Sequence, residues 1–446
     1  MLTSFILNDN DDDCDKIPEF IQSEKCSPEV LKRYLWAACR RGKFKTAKIL
    51  LERGADVNYV NHYKKTTLIA TASFGFAPDE TRLKLAKLLI EYGADPLPED
   101  VNYKNALLHA IEYNRPLLTE WLTRFFDANM VSRSFYFAVQ LNNCVIAAKL
   151  LRLGADIEFD NMNGTRPLIV ATCKQYYEMA SMLLNYGANI NTSVGTGATP
   201  LHFAAKKSSN LLGLLLQKGC NIHARTRNQN TALHYAVRER QYENVLRLLQ
   251  NGAEPNCVND IGETPLLLAC REMHGPIVEL LLRYKADPNM HDENCSYPIN
   301  QIVIHPKFDN FVMLDLLLRY GANLNQETGA HPLALFASMN PTISYEMIQG
   351  LIERGAFLQL SGWYGYVTDT STLLKLGCWA LTCKKAAVAY FATFVYGEEK
   401  GVRPVPVPRR LTGAYGLYPI RRRLAEYMVY RKPSVRYMIQ ELIDEF

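Results

Sequence analysis

Apolar residues recur along the chain in short blocks with helical spacing, and most blocks end in the same phrase. Two aliphatic residues and two variable residues precede Gly-Ala-Asp or Gly-Ala-Asn, as in Leu50–Asn58. Glycine can adopt the left-handed conformation that ends a helix, and Asp or Asn begins the following turn. The phrase therefore predicts a repeated helix end. Its glycine position falls at residues 54, 93, 154, 187, 219, 252, 285, 321 and 355, mostly in steps near 33.

Two of these positions are irregular. The step of 61 residues between 93 and 154 predicts a degenerate repeat that ends near Asp127 and Ala128. Lys285 occupies one glycine position, and a lysine with positive φ costs more than a glycine. We therefore expect strain, or a different helix end, at Lys285.

A second phrase opens each unit, and its fullest copy is Thr-Pro-Leu-His-Phe-Ala-Ala at Thr199–Ala205. Related copies begin at Thr231 and Thr264. Threonine can cap a helix whose first turn accepts proline, and the small alanines let paired helices approach closely. Because each short helix pair cannot bury its apolar face alone, the pairs must stack. The pattern predicts a helical array without a sheet core.

The two phrases together resemble the ankyrin repeat, in about ten copies over residues 30–360. The resemblance implies an all-α, curved ankyrin-repeat solenoid of ten to eleven helix pairs with a short C-terminal helical module. Around it we expect a partly disordered acidic lead at 1–28, a degenerate capping repeat at 361–400 and a basic helical tail at 402–446.

Catalytic motifs are missing from the sequence, which has no nucleophile elbow, zinc-protease, phosphate-binding or dinucleotide fingerprint. We therefore expect no enzyme, no catalytic residue, no cofactor, no metal and no small-molecule substrate. His202 and His234 occupy equivalent repeat positions, and we expect them to bond the backbone of a neighbouring turn. The eleven cysteines are odd in number and scattered, which favours reduced thiols in a cytoplasmic or nuclear protein.

In ankyrin stacks, the hairpin tips and the exposed side of the first helix form the concave surface that binds a protein partner. The resemblance therefore implies a partner surface made of polar and aromatic residues at these places. The candidates are His62, Tyr63, Asn161, Lys206, Lys207, Arg225, Arg227, Arg238, Glu239, Asn259, Asp260, Arg271 and Glu272.

The net charge is concentrated in the tail. Residues 402–446 hold nine Arg or Lys against four Asp or Glu, whereas the first 401 residues balance at 41 and 41. Apolar residues in this tail fall at helical spacing, and Ser434 can cap a last helix. Short helices after an ankyrin array resemble a suppressor-of-cytokine-signalling (SOCS) box, which recruits elongin B/C and a cullin.

Two registers of this resemblance remain open. In one, Leu411, Tyr415, Ile420 and Leu424 belong to the elongin-binding helix, Tyr415 replaces a small residue and Pro419 is an insertion. In the other, residues 419–430, including Tyr427, form the cullin-facing segment, with Arg421 in place of a proline. The elongin helix would then lie upstream, near 374–378. Possible ligase-adaptor contacts are Leu411, Tyr415, Ile420, Leu424 and Tyr427.

Three functions follow from these patterns. The first is a substrate receptor of a cullin–RING ubiquitin ligase, which binds a protein on its array and elongin B/C through its tail. The second is a plain ankyrin scaffold whose tail only caps the stack. The third is a tail that contacts anionic lipid or nucleic acid, although the chain carries no extended basic field.

Overall fold

The computed structural model describes residues 27–73, 75–161, 163–207, 210–304 and 311–324, together with Gly350 and Arg354. The chain divides into two compact units, residues 1–227 and 228–446. The predicted acidic lead, capping repeat and basic tail lie almost entirely outside the described residues.

The described part of the first unit contains six successive helix pairs. They are α1 (Pro28–Arg41) with α2 (Phe44–Glu52), α3 (Thr67–Ala72) with α4 (Asp79–Glu91), α5 (Ala106–Glu112) with α6 (Pro116–Leu122), α7 (Ala128–Gln140) with α8 (Cys144–Arg152), α9 (Pro167–Cys173) with α10 (Tyr177–Asn185), and α11 (Pro200–Ala205) with α12 (Asn210–Gln217).

The described part of the second unit contains three pairs of the same kind. They are α13 (Ala232–Arg238) with α14 (Tyr242–Gln250), α15 (Pro265–Arg271) with α16 (Gly275–Arg283), and α17 (Pro298–Ile304) with α18 (Val312–Arg319). None of the described helices in either unit is long and apolar enough to cross a membrane.

Each unit is built from two rows of helices. The first helix of a pair packs on its own second helix and on the first helix of the next pair, and second helices pack along a second row. The alanine five positions after the helix cap is fully buried between neighbours, because a larger side chain would push the helices apart. These alanines are Ala110, Ala171, Ala204, Ala236 and Ala269.

The opening phrase works as a helix cap. Thr264 Oγ1 accepts from the N–H of Leu267 at 3.1 Å. The backbone N–H of Thr199 donates to Nδ1 of His202 at 3.1 Å, and Pro200 occupies the first turn. These bonds satisfy N–H groups that the helix leaves unpaired, so the predicted role of the phrase is confirmed.

The closing phrase ends helices with a left-handed residue. Gly252 has φ 88° and Lys285 has φ 65°, so Lys285 adopts the conformation of the glycines. The N–H of Lys285 donates to the carbonyl of Leu282 at 3.0 Å, as that of Gly252 does to Leu249 at 3.1 Å. The helix end is therefore the ordinary one, built with a lysine in the conformation of the glycines, and strain at Lys285 stays a prediction.

The asparagine that closes the phrase joins successive repeats. Asn289 Nδ2 donates to the carbonyl of Gly321 at 2.9 Å, and Asn289 Oδ1 accepts from the N–H of Asn323 at 2.7 Å. Asn58 makes the same pair of bonds with Gly93 and Asp95. One side chain thus holds the helix end of the next repeat.

The degenerate repeat between 93 and 154 is present as the pair α5 and α6, which ends in a 3₁₀ turn at Thr123–Phe125. Asp127 and Ala128, which the sequence placed at its end, belong to the next helix instead. Asp127 Oδ1 accepts from the N–H of Met130 at 2.7 Å, and Asp127 and Ala128 therefore begin α7.

The step of 39 residues between Gly54 and Gly93 includes a 13-residue α4, which a loop at 75–78 precedes. The fully buried Arg82 holds this loop by donating to carbonyls of Thr71, Ala77 and Arg40. Burial lowers the pKa of Arg82 to about 10, the positive charge of Arg115 adds to the effect, and Asp79 opposes it.

Candidate functional site

The predicted partner residues lie on one side of each unit, at the ends of the first helices and at the hairpin tips. We call this side the recognition face. At its first tip His62 and Tyr63 are exposed, and their ring centroids lie 3.9 Å apart. The exposed fraction of Tyr63 is 54%. An aromatic pair in water at a fixed tip can supply contact area to a partner at low entropic cost.

Backbone hydrogen bonds join several pairs of successive tips. The N–H of Val101 donates to the carbonyl of Tyr63 at 3.2 Å, and that of Arg227 donates to Thr196 at 2.9 Å. In the second unit the N–H of Glu293 donates to Ile261 at 3.1 Å. These tips therefore present their side chains from hydrogen-bonded backbone.

An asparagine shapes the tip from inside. Asn161 Oδ1 accepts from the N–H groups of Asn163 and Thr165 at 3.1 and 3.0 Å. Asn259 Oδ1 accepts from those of Ile261 and Glu263 at 3.2 and 2.9 Å. These bonds mimic a backbone turn.

Asn259 corrects the predicted partner surface. Only 7% of this residue is exposed, and its amide nitrogen donates to Asn230 Oδ1 at 3.3 Å and Glu263 Oε2 at 3.2 Å. Asn259 is committed to the interior of the tip, so it positions its exposed neighbour Asp260 and does not face a partner. The sequence pattern could not separate these two roles, because both favour a short polar side chain.

The basic candidates of the first unit stand at the end of α11 and at the following tip. Lys207, Arg225 and Arg227 are exposed. The ammonium of Lys206 lies 5.8 Å from the ring centroid of Phe203, which holds it against the first helix.

The candidates of the second unit combine both charges. Arg238 and Glu239 end α13 and are exposed. The guanidinium of Arg271 lies 2.5 Å from Oε1 of the buried Glu263, and Glu272 Oε2 accepts from Arg240 at 2.9 Å. Arg271 and Glu272 are therefore held in place by internal ion pairs.

The first unit also contains a cleft that the sequence did not reveal. Its volume is about 730 Å³, and its lining includes Arg33, Trp36, Arg40, Tyr59, Lys65 and Tyr113. It lies on the recognition face, between the first helices α1, α3 and α5 and the tips that precede α3 and α5. Residues up to 80 positions apart line it, so no local motif marks it.

A buried pair formed by His109 and Asp100 lies beside this cleft. His109 Nε2 donates to Asp100 Oδ2 at 2.9 Å, and its Nδ1 lies 3.5 Å from Ser73 Oγ. Burial holds the pKa of His109 below its ordinary value, and the charge of Lys65 adds to this, while Asp100 opposes it. His109 is therefore a neutral donor to a carboxylate.

Asp100 is the charged member of the pair. Burial alone would raise its pKa, but bonds from His109 and from the N–H groups of Asn102 and Lys104 hold the pKa below its ordinary value. Ser73 Oγ itself donates to the carbonyl of Ile69 at 2.6 Å, so its proton is not directed at His109. The arrangement is that of a structural network and not of an activated nucleophile.

Two further groups in the described part of the chain have structural surroundings. His234 Nε2 donates to the carbonyl of Glu263 at 3.0 Å, which confirms the bond to a neighbouring turn expected for this position. Burial raises the pKa of Cys39 to about 12 and that of Cys220 to about 11, so these thiols stay protonated. Within the described ranges, His, Cys, Asp and Glu form no cluster that could hold a metal ion.

Comparison with known proteins identifies the repeat. The family model for ankyrin repeats, in three copies, matches residues 34–134, 135–226, 191–259 and 209–292, together more than half of the chain. The chain belongs to the ankyrin-repeat family. With the helix pairs described above, this confirms the predicted all-α ankyrin-repeat fold.

Several ankyrin proteins share part of this sequence. A putative ankyrin repeat protein of fowlpox virus is 34% identical over 196 residues, 43% of this chain and 48% of that protein. One of Acanthamoeba polyphaga mimivirus is 41% identical over 69 residues, 16% of this chain and 39% of that protein. The human ankyrin repeat and SOCS box protein 16 is 31% identical over 189 residues, 39% of this chain and 41% of that protein. The matches span less than half of each of these relatives. The predicted adaptor contacts Leu411, Tyr415, Ile420, Leu424 and Tyr427 lie outside the described residues.

Proposed function

We propose that this ankyrin chain is a protein-binding scaffold that holds its partner on the recognition face. The observation that carries the proposal is the placement of exposed aromatic and charged side chains on hydrogen-bonded tips and first-helix ends. A rigid frame lowers the entropy lost when a partner binds. The repeated apolar surfaces, by contrast, are consumed in stacking, as in other arrays.

A charge-matched pair of variants tests this proposal. Arg238→Ser with Asp260→Ser removes one cation and one anion from the recognition face. Arg247→Ser with Glu243→Ser removes the same charges from α14, where the two side chains pair at 3.0 Å. Proteins captured by the full chain and by the α14 variant, but lost from the face variant, would support the proposal. Equal capture by all three would contradict it.

We further propose that the scaffold is a substrate receptor of a cullin–RING ubiquitin ligase. Two observations support this finer role. The tail places Leu411, Ile420 and Leu424 in a pattern that resembles the elongin-binding helix of a SOCS box. A human protein that matches 39% of this chain is named an ankyrin repeat and SOCS box protein. The plain scaffold with a capping tail is the alternative.

The tail is tested by Leu411→Ala with Leu424→Ala in an elongin B/C pull-down. Burying an aliphatic anchor contributes roughly 1.5–3 kcal/mol, so loss of two anchors should weaken capture more than about a hundredfold. Absence of capture by the unmodified chain would contradict the receptor role. Unfolding of repeats before residue 324 in the variant would instead identify the tail as a cap. Steeply salt-dependent binding of the tail to anionic vesicles or nucleic acid would support the third function.

A further inference from the structure

The cleft of the first unit combines aromatic rings and cations. Arg33, Trp36 and Arg40 follow one another on α1 at spacings of three and four residues, which places them on one side of that helix. Tyr59 lies in the segment between α2 and α3, and Tyr113 lies at the end of α5. Both are half-buried. Trp36 therefore stands between the two arginines along α1, and the rings of Tyr59 and Tyr113 also line the cleft, with the ammonium of Lys32 lying 5.1 Å from the Tyr59 ring centroid.

The charge of the cleft is unbalanced. Its lining contains the cations Arg33, Arg40 and Lys65 and no carboxylate. Of the carboxylates close to it, Asp100 is buried against His109 and lies 4.0 Å from the ammonium of Lys65, and Glu29 lies 2.6 Å from the ammonium of Lys32. The guanidinium of Arg40 lies 5.8 Å from the Trp36 ring and is held over it. Lys65 thus has a carboxylate partner within the chain, and a neutral or cationic ligand would offer no counter-charge to Arg33 and Arg40.

The spacing of the two arginines defines the ligand. Seven residues along an α-helix correspond to about 10 Å. A peptide in the polyproline II conformation has three residues per turn and advances about 3.1 Å per residue, so carboxylates three residues apart lie on one face, about 9 Å apart, and can reach both guanidinium groups. A cleft of about 730 Å³ accepts an aromatic side chain between them.

We propose that this cleft binds an acidic peptide segment of a partner protein, with two carboxylates about three residues apart and an aromatic residue between them. Arg33 and Arg40 each take one carboxylate in a bidentate pair, and the aromatic residue stacks among Trp36, Tyr59 and Tyr113. The proposal rests on the scaffold function and adds the chemical class of its partner.

A protein segment fits this cleft better than a nucleic acid. A single strand needs a basic groove that follows its backbone over several nucleotides. The cations here are confined to one cleft, and the neighbouring tip and helix carry the ion pairs of Lys104 with Glu112 at 2.7 Å and of Arg133 with Glu99 at 3.7 Å. These paired charges would offer no net attraction to a phosphate backbone that extended past the cleft.

The test uses the full chain and a fluorescein-labelled probe, Gly-Ser-Glu-Phe-Ser-Glu-Ser-Gly, in fluorescence anisotropy. We expect saturable binding that weakens roughly 10- to 100-fold when Arg33→Gln and Arg40→Gln are combined. Replacement of both probe glutamates by glutamine should have a similar effect. The control Arg53→Gln with Arg152→Gln removes the same charge from exposed positions outside the cleft and should leave the affinity unchanged.

The acidic-peptide site and the scaffold function are contradicted by different results. No binding of the probe, or equal loss in both arginine variants, would overturn the acidic-peptide site, while the capture test of the recognition face could still succeed. Failure of that capture test would overturn the scaffold function itself. Tighter binding of a twelve-nucleotide single strand than of the probe, through Arg33 and Arg40, would identify a nucleic-acid site and contradict the proposal.

Discussion

At the scale of the residue, Lys285 has a left-handed backbone conformation at a position where the other described repeats with this helix end have glycine. A β-carbon in this conformation costs about 1 kcal/mol. We therefore expect Lys285→Gly to raise the free energy of unfolding by about this amount, measured by thermal denaturation. The reciprocal change, Gly252→Lys, should lower it by a similar amount because Gly252 has φ 88°. A lower midpoint for Lys285→Gly would contradict the strain.

The buried pair of Asp100 and His109 predicts an acid-sensitive repeat. Since the folded pKa of His109 lies below its ordinary value, the unfolded chain takes up a proton first, and stability falls as the pH drops below about 6.5. Asp100 has a lowered pKa, so its contribution is complete above about pH 4 and is lost as the pH falls through the folded value. Both effects act in the same direction.

Asp100→Asn isolates the second effect. At pH 7 the variant should unfold roughly 2–3 kcal/mol more easily in urea, because a charged acceptor of buried hydrogen bonds is lost. The difference from the unmodified chain should shrink below about pH 4, where the carboxylate becomes protonated. A difference that stays constant into strong acid would show that the charge of Asp100 does not stabilise the repeat.

At the scale of the element, the hairpin tips depend on close backbone contact. A β-carbon on Gly262, which has φ 77°, would lie 2.9 Å from the backbone nitrogen of Glu293 in the next tip. Gly164 has a similar φ of 66° with no atom within 4 Å of the same position. Gly262→Ala should therefore lower the melting temperature more than Gly164→Ala. Both alanines would adopt an unfavourable left-handed conformation, but only the β-carbon at 262 would also clash with the next tip. Equal decreases in melting temperature would mean that the two tips can move apart without loss of stability.

Sequence reasoning reached the elements but not all of their contacts. The Thr-Pro and Gly-Ala phrases predict where helices begin and end because caps are local. The hydrogen bonds of Arg82 to Ala77 in loop 75–78 and to Arg40 were not predicted, since these acceptors lie up to 42 residues away. The cleft was missed for the same reason, and Asn259 was misplaced because a turn-forming and a partner-facing asparagine look alike in sequence.

At the scale of the whole molecule, the main helix contacts within each unit join a described repeat to its neighbours, so we expect stability to be a sum of local terms. This separates binding from folding. A change at one tip or one first-helix end should alter recognition there and leave distant repeats folded. The exposed charges on the recognition face can therefore be altered one repeat at a time, whereas the buried alanines cannot.

Site-specific photo-crosslinking of the full chain in cells tests the scaffold function most directly. A benzophenone amino acid in place of Tyr63 or Arg238 would report on the recognition face, and one in place of Arg53 or Gln250 would report on the exposed ends of the second helices. We predict higher-mass protein adducts from the first two positions and none from the last two. Adducts formed only from Arg53 and Gln250, or from none of the four positions, would contradict the recognition face as the binding surface.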